Sequence, residues 1–242
     1  MLFNLRWFAV IAVLLPTGAW SEEALPPLFT QDPHRNDMGF FDLHLCNWPE
    51  RPAFFKALFS TQQFAQVAKM EVLTPDGHSV GELSLDNFRS VHPAGKPEKR
   101  VFLNDLAVPS GSKDGWYSIR VTDKAGIVHT ATDYVVMGRL LPATKLLPNT
   151  EDDIPLPQQL QWDAVSGAKH YQVFVRDEFA NKLVFESKLL DKPQVGIPAE
   201  VLQAGGYYSW VVHARDVNEN IILGDFNSGS LSEKAFFSVR GE

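Results

Sequence analysis

Few residues of the 242-residue chain stand at spacings that could do chemistry. His44 and Cys46 are two apart in Leu43-His44-Leu45-Cys46. On a strand such side chains share a face, so an imidazole and a thiol would stand together, with His34 and Met38 just upstream. A soft nitrogen and sulfur set of this kind suits copper. It lacks a second spaced histidine cluster, and a lone cysteine is more often a small buried hydrophobe, so His44 and Cys46 are weak metal candidates. Asp216-Val217-Asn218-Glu219-Asn220 begins like an oxygen-rich calcium loop. The expected glycine is replaced by Ile221 and the closing glutamate by Asn227, which makes a hairpin turn the better account. The chain has no Gly-x-Ser-x-Gly elbow, no His-Glu-x-x-His, no phosphate-cradling glycine loop and no CxxC. Its carboxylates scatter over turns. The expectation is a protein that is not an enzyme and holds no cofactor or resident metal.

Surface recognition is the more productive reading. In Tyr171-Gln172-Val173-Phe174-Val175 and Tyr207-Tyr208-Ser209-Trp210-Val211-Val212-His213-Ala214, period-two alternation turns Tyr171, Val173, Val175, Tyr208, Trp210, Val212 and Ala214 inward. Gln172, Phe174, Arg176, Tyr207, Val211 and His213 then face outward. An outer face carrying Phe174, Tyr207 and Val211 is more apolar than a solvated sheet needs. Trp116 points outward in the same way beside Ser118 and Arg120. Flat aromatics give large contact area at small entropy cost, so Phe174, Tyr207 and Val211, with Trp116 second, are the candidate partner-binding residues. The occupant would be another protein or a polysaccharide.

The elements that would carry these residues are short and extended. Candidate strands cover 40–48, 54–60, 69–74, 79–85, 100–106, 116–123 and 127–137, then 159–162, 171–177, 182–187, 194–197, 207–215 and 235–239. Pro75-Asp76-Gly77 and Asp123-Lys124-Ala125-Gly126 have hairpin-turn chemistry. Only 61–68 could form a short helix. Many strands about ten residues apart imply an all-β protein built as β-sandwiches. Residues 1–21 read as a secretory signal peptide, with Arg6 ahead of a short apolar run and small residues Ala19 and Ser21 before a cleavage point. Losing Arg6 with it takes the formal charge from −7 to −8. An acidic chain with no basic run excludes nucleic acid and an anionic membrane surface as partners, and no later stretch is long enough to span a bilayer. The single cysteine allows no internal disulfide. Export without disulfides suits a periplasm or a cell surface.

Pro142, Pro148, Pro155 and Pro157 interrupt 138–159, with Glu151-Asp152-Asp153 among them. A boundary near Pro148 therefore separates a first β-sandwich at 22–140 from a second sandwich at 158–242, across an extended Pro-rich linker at 141–157. An internal echo relates the halves: Gly115-Trp116-Tyr117-Ser118 and Gly206-Tyr207-Tyr208-Ser209 both open an alternating strand.

Leu160-Gln161-Trp162, Gly167-Ala168, Tyr171-x-Val173-x-Val175, and Leu202, Gly205, Tyr208, Trp210, Val212 and Ala214 follow one another between Pro155 and Val239. Through these residues the segment resembles a fibronectin type III domain of the bacterial extracytoplasmic kind. The resemblance implies a tyrosine corner at Tyr208, with the hydroxyl bonded back to nearby backbone. The first half more loosely resembles a bacterial immunoglobulin-like sandwich through Gly115, Tyr117, Ile119, Val121, Asp123 and Gly126. Such domains are spacers, adhesion modules or binding modules, so the resemblance implies an exported accessory or scaffold protein and no reaction.

Overall fold

The structure is a computed structural model that describes residues 32–216 and 228–241. The leader-like segment at 1–21 and most of the calcium-like segment lie outside the described residues. The chain is all-β, with no α-helix among them. An antiparallel four-stranded sheet runs β5 (Ser79–Glu82), β4 (Val67–Leu73), β8 (Gly115–Asp123), β9 (Val128–Val135). A two-stranded sheet joins β11 (Gln159–Gln161) to β14 (Gln194–Gly196).

The third sheet has eleven strands and crosses from one half of the chain to the other. Its order is β10 (Glu151–Ile154), β17 (Ala235–Val239), β15 (Tyr207–Arg215), β16 (Ser228–Leu231), β2 (Gly39–Asn47), β3 (Phe54–Thr61), β7 (Lys99–Ala107), β6 (Phe88–Val91). Off this path β1 (Arg35–Asn36) pairs with β2, β12 (His170–Asp177) with β15, and β13 (Lys182–Glu186) with β12. The halves meet where Ser228, Gly229 and Ser230 pair in parallel with Leu45, Cys46 and Asn47.

Two cores follow from the alternation. Phe41, Leu43, Leu45, Phe55 and Phe59 of the long sheet pack with Met70, Val72, Tyr117, Ile119 and Val121 of the four-stranded sheet. Trp162, Tyr171, Val173, Tyr208, Trp210, Val212 and Phe237 form the second cluster. Each large apolar side chain so buried contributes about 1.5–3 kcal/mol over leaving it exposed. The stretch expected as a linker is tied to the second core: Leu140, Ala143 and Leu146 are buried there, β10 lies parallel to β17, and the Trp210 indole donates to the Pro148 carbonyl at 2.9 Å.

The two echoed segments do the same physical job. Tyr117 and Tyr208 both turn inward and bond backbone a few residues upstream. The Tyr117 hydroxyl donates to the Lys113 carbonyl at 3.1 Å, and the Tyr208 hydroxyl accepts from the Gln203 N–H at 2.8 Å. The glycine between ring and turn is sterically required in the second case, because a Cβ at Gly206 would run into the Tyr208 ring and hydroxyl. Both expected hairpin turns form: Gly77 and Gly126 take positive φ, and the Asp123 carboxylate accepts from the Ala125 and Ile127 N–H groups. Residues 61–68 do not make a helix. A single 3-10 turn at Phe64–Gln66 leads straight into β4, whose Val67 and Met70 belong to the core and whose backbone pairs with β8. Tertiary pairing overrides a weak local preference there.

β2 is buried on both faces and needs partners along both edges. β3 satisfies one edge throughout. On the other, the Phe41 N–H donates to the His34 carbonyl, β16 pairs with Leu45 to Asn47, and the gap at Leu43 is filled by a side chain. The buried Asp133 carboxylate of β9 accepts the Leu43 N–H at 2.7 Å and meets His34 Nε2 at 3.2 Å, while His34 Nδ1 meets Asp32 at 2.8 Å. Asp133 thus links the two sheets of the first half. Asp133→Ala strands a buried N–H and should cost about 1–3 kcal/mol of unfolding free energy, with Asp133→Asn costing less because it keeps an acceptor oxygen. Chemical denaturation of the three proteins measures this ordering, and equal stability of Asp133→Ala and the parent would refute the role.

Candidate functional site

The candidate site is built on β12, β15 and β17, whose inner faces are fixed by the second core. Phe174 lies directly opposite Val211 in the β12–β15 register, and both are half-buried on the outer face. Tyr207 lies further along β15, stacked on Phe236 of β17 with ring centroids 6.1 Å apart and planes 19° apart. On its other side stands Phe179, at 6.1 Å, in the β12–β13 turn and 75% exposed. Phe174, Tyr207 and Val211 therefore share the outer face as their spacing implied, in two neighbouring groups: a Phe174–Val211 pair and a Phe179–Tyr207–Phe236 ladder. Ser209 sits on the same face yet is buried, its hydroxyl bonded to the Glu178 carboxylate.

Phe236 and Phe179 extend the face beyond the residues singled out from sequence. Phe236 was legible, since Ala235, Phe237 and Val239 alternate inward and leave it outside. Phe179 had only a weaker signal, an aromatic placed at a hairpin tip. The far end of the face is polar: Arg215 donates to the Gln172 amide oxygen at 2.7 Å, and Gln172 donates to Glu186 at 2.8 Å.

Trp116 stands apart on the outer face of the four-stranded sheet, edge-on to its register partner Tyr134 at 5.2 Å. The two are 38% and 43% exposed. Beside them the Arg120 guanidinium donates to Glu71 at 2.7 Å, which holds the Glu71 carboxyl below its usual range. Trp116 is not brought together with Phe174, Tyr207 and Val211.

His44 and Cys46 do share a face of β2, both buried. His44 Nδ1 lies 3.3 Å from Asp42, and across the sheet His44 is level with Lys56 and Asp105. Arg51 and Lys56 both donate to Asp105, at 2.8 and 2.6 Å; burial would raise that carboxyl, and these two cations outweigh it and leave it low. His34 is engaged with Asp32 and Asp133, and Met38 belongs to the first core, so neither joins the pair. Among the described residues no three His, Cys, Asp or Glu side chains are grouped to hold a metal ion. Burial pushes the Cys46 thiol up to about 12, ahead of smaller opposing effects of Lys56 and Asp105. Its thiolate fraction near neutrality is then roughly a thousandfold below that of an ordinary cysteine. Maleimide or disulfide-exchange reagents should label Cys46 only on unfolding, and fast labelling of the folded chain would contradict this environment.

No family model and no curated protein matches the chain. Solved structures that resemble it include a biofilm-associated protein BSP domain, with 14% identity, a TM-score of 0.28, and coverage of 83% of this chain and 29% of that one. Another is a Salmonella alpha-2-macroglobulin mutant, with 12% identity, a TM-score of 0.24, and coverage of 84% of this chain and 15% of that one. The chain spans less than a third of the length of the first protein and about a seventh of the second.

His213, on the outer face between the aromatic end and β16, shows how dry this part of the sheet is. Burial first, then the charges of Arg215, His44 and Lys56, push its imidazole down to about 3 from 6.5. The unfolded chain therefore binds a proton that the folded chain does not between those values, and stability falls as pH drops from about 6.5 toward 3. Replacing His213 by Leu should leave stability near neutrality within about 1 kcal/mol and flatten the acid limb by about 3 kcal/mol at pH 4. Parallel acid limbs in urea titrations of the two proteins would contradict it.

Proposed function

We propose that this chain is a non-catalytic accessory or scaffold protein of the periplasm or cell surface. It docks another extracytoplasmic protein through the outer face of β12, β15 and β17. The observation that carries this reading is the concentration of half-exposed apolar surface on one side of the sheet. Phe174, Val211, Tyr207 and Phe236 lie there on strands whose other face is locked in a core, with Phe179 of the β12–β13 turn beside Tyr207. Contact residues held on rigid strands lose little entropy on binding, and clustered aromatics dominate the affinity of protein interfaces. Trp116 with Tyr134 supplies a second, smaller aromatic surface in the first half.

The second half is read as a fibronectin type III-type sandwich. Its support is the inward Tyr208 with its backbone bond, the buried Leu202 upstream, and Trp162 packed against Tyr171 and Trp210. The leader-like N-terminus and the single cysteine support the export assignment.

Phe174→Asp combined with Tyr207→Asp should abolish capture of the partner in cells. The thermal unfolding midpoint should stay close to the parent's, because neither side chain is part of the core. Both are read together by affinity isolation and by melting of the purified variant. Undiminished capture by a folded double variant would overturn the site assignment.

A further inference from the structure

The outer face of the long sheet carries, in the first half, a cleft of different chemistry. It has a volume of about 690 Å³ and is floored by Phe40 of β2, Leu58 of β3 and Val101 of β7. Arg35, Lys96 and Lys99 line it, against the single carboxylate of Asp37. Arg35 is paired with Asp32 at 3.2 Å, whereas among the described residues no carboxylate forms an ion pair with Lys96 or Lys99. Arg89 is the register partner of Val101 and so adds another cation on the same side. In a chain of formal charge −7, a cleft walled by cations in this excess is an exception to the surrounding field.

The walls are also preorganised. The Thr61 hydroxyl donates to the Met38 carbonyl, and the Gln63 side chain donates to the Asp37 carbonyl at 2.6 Å, which ties the turn after β1 to the end of β3. Gly39 permits the close approach, since a Cβ there would collide with the Ser60 carbonyl. The Asn36 carboxamide is fixed by accepting the Met38 and Gly39 N–H groups, and its buried Nδ2 has no hydrogen-bond partner among the described residues. Ser60, Gln62 and Gln63 supply neutral hydroxyl and amide groups around the opening.

We infer that this cleft binds an acidic saccharide of the uronate type. Lys96 and Lys99 would meet its carboxylate, the amides and hydroxyls its ring hydroxyls, and the apolar floor its C–H face. The volume lies within the range of small-ligand sites, and an apolar floor with a few convergent polar groups is the usual construction of such sites. The neutral donors favour a polyhydroxylated ligand over a bare anion, for which the lysines alone would serve. None of the residues belongs to the docking face on β12, β15 and β17, so the two sites stand or fall separately.

The test is calorimetric titration of a short oligogalacturonate into the full chain at low salt, beside its methyl ester and inorganic phosphate. The expected result is saturable binding of the acid, weakened by salt and absent with the ester. Affinity should fall about tenfold or more in Lys96→Gln with Lys99→Gln at an unchanged melting temperature, while Phe174→Asp with Tyr207→Asp leaves it intact. No saturable binding, equal binding of the methyl ester, equal binding of phosphate, or full affinity in the lysine variant would each overturn the inference.

Discussion

The structure depends on satisfying β2. Its inner side chains Phe41, Leu43 and Leu45 fill the first core, while the outward Phe40, Asp42, His44 and Cys46 are buried as well, so its backbone polar groups have no recourse to water. One edge is met by β3. The other is met in sequence by the His34 carbonyl, the Asp133 carboxylate and β16, contributed by three distant parts of the chain. The last of these makes the two halves parts of one sheet. Asn47 reinforces the junction by donating to the Leu140 carbonyl at 2.9 Å, and the Ser230 hydroxyl donates to the Leu141 carbonyl at 2.9 Å.

A functional geometry follows from this junction. Arg215, Gly229, Cys46 and Phe54 stand in register across β15, β16, β2 and β3, so the outer face of the second half continues as the outer face of the first. The aromatic face and the cationic cleft therefore open on the same side of one sheet. Between them runs the dry stripe of His213, His44 and Cys46, in which the His213 imidazole stays neutral and the Cys46 thiol stays protonated. A chain whose halves share one sheet in this way presents a fixed surface rather than two modules free to reorient.

Much of this was legible in the sequence because it depends on local alternation. The inward and outward sets of β12 and β15, the Asp-Gly turns, and the pairing of Tyr117 with Tyr208 as equivalent positions all come from period-two patterning and turn chemistry. Strands β1, β6, β10 and β16 were not legible. Glu151–Ile154 is acidic and Ser228–Leu231 small and polar, and each becomes a strand only because an edge of β17 or β2 needs a partner. Residues 61–68 failed in the opposite direction, since a helix-compatible stretch was claimed by a sheet. The cleft was invisible for the same reason as β16. Arg35 comes from β1, Gln62 and Gln63 follow β3, Lys96 precedes β7 and Lys99 opens it, segments tens of residues apart that no periodicity connects. In the sequence the two lysines read as an ordinary solvated loop.

The central claim is that the outer face around Phe174 is presented to another protein. The most direct measurement places a photo-activatable crosslinker at Phe174 of the chain in its own host, irradiates living cells, and identifies the covalent product. The account predicts one defined envelope protein, whose capture disappears when the crosslinker is moved to an inward position of the same strand. Products confined to the chain's own residues would contradict it and make the aromatic face an internal interface.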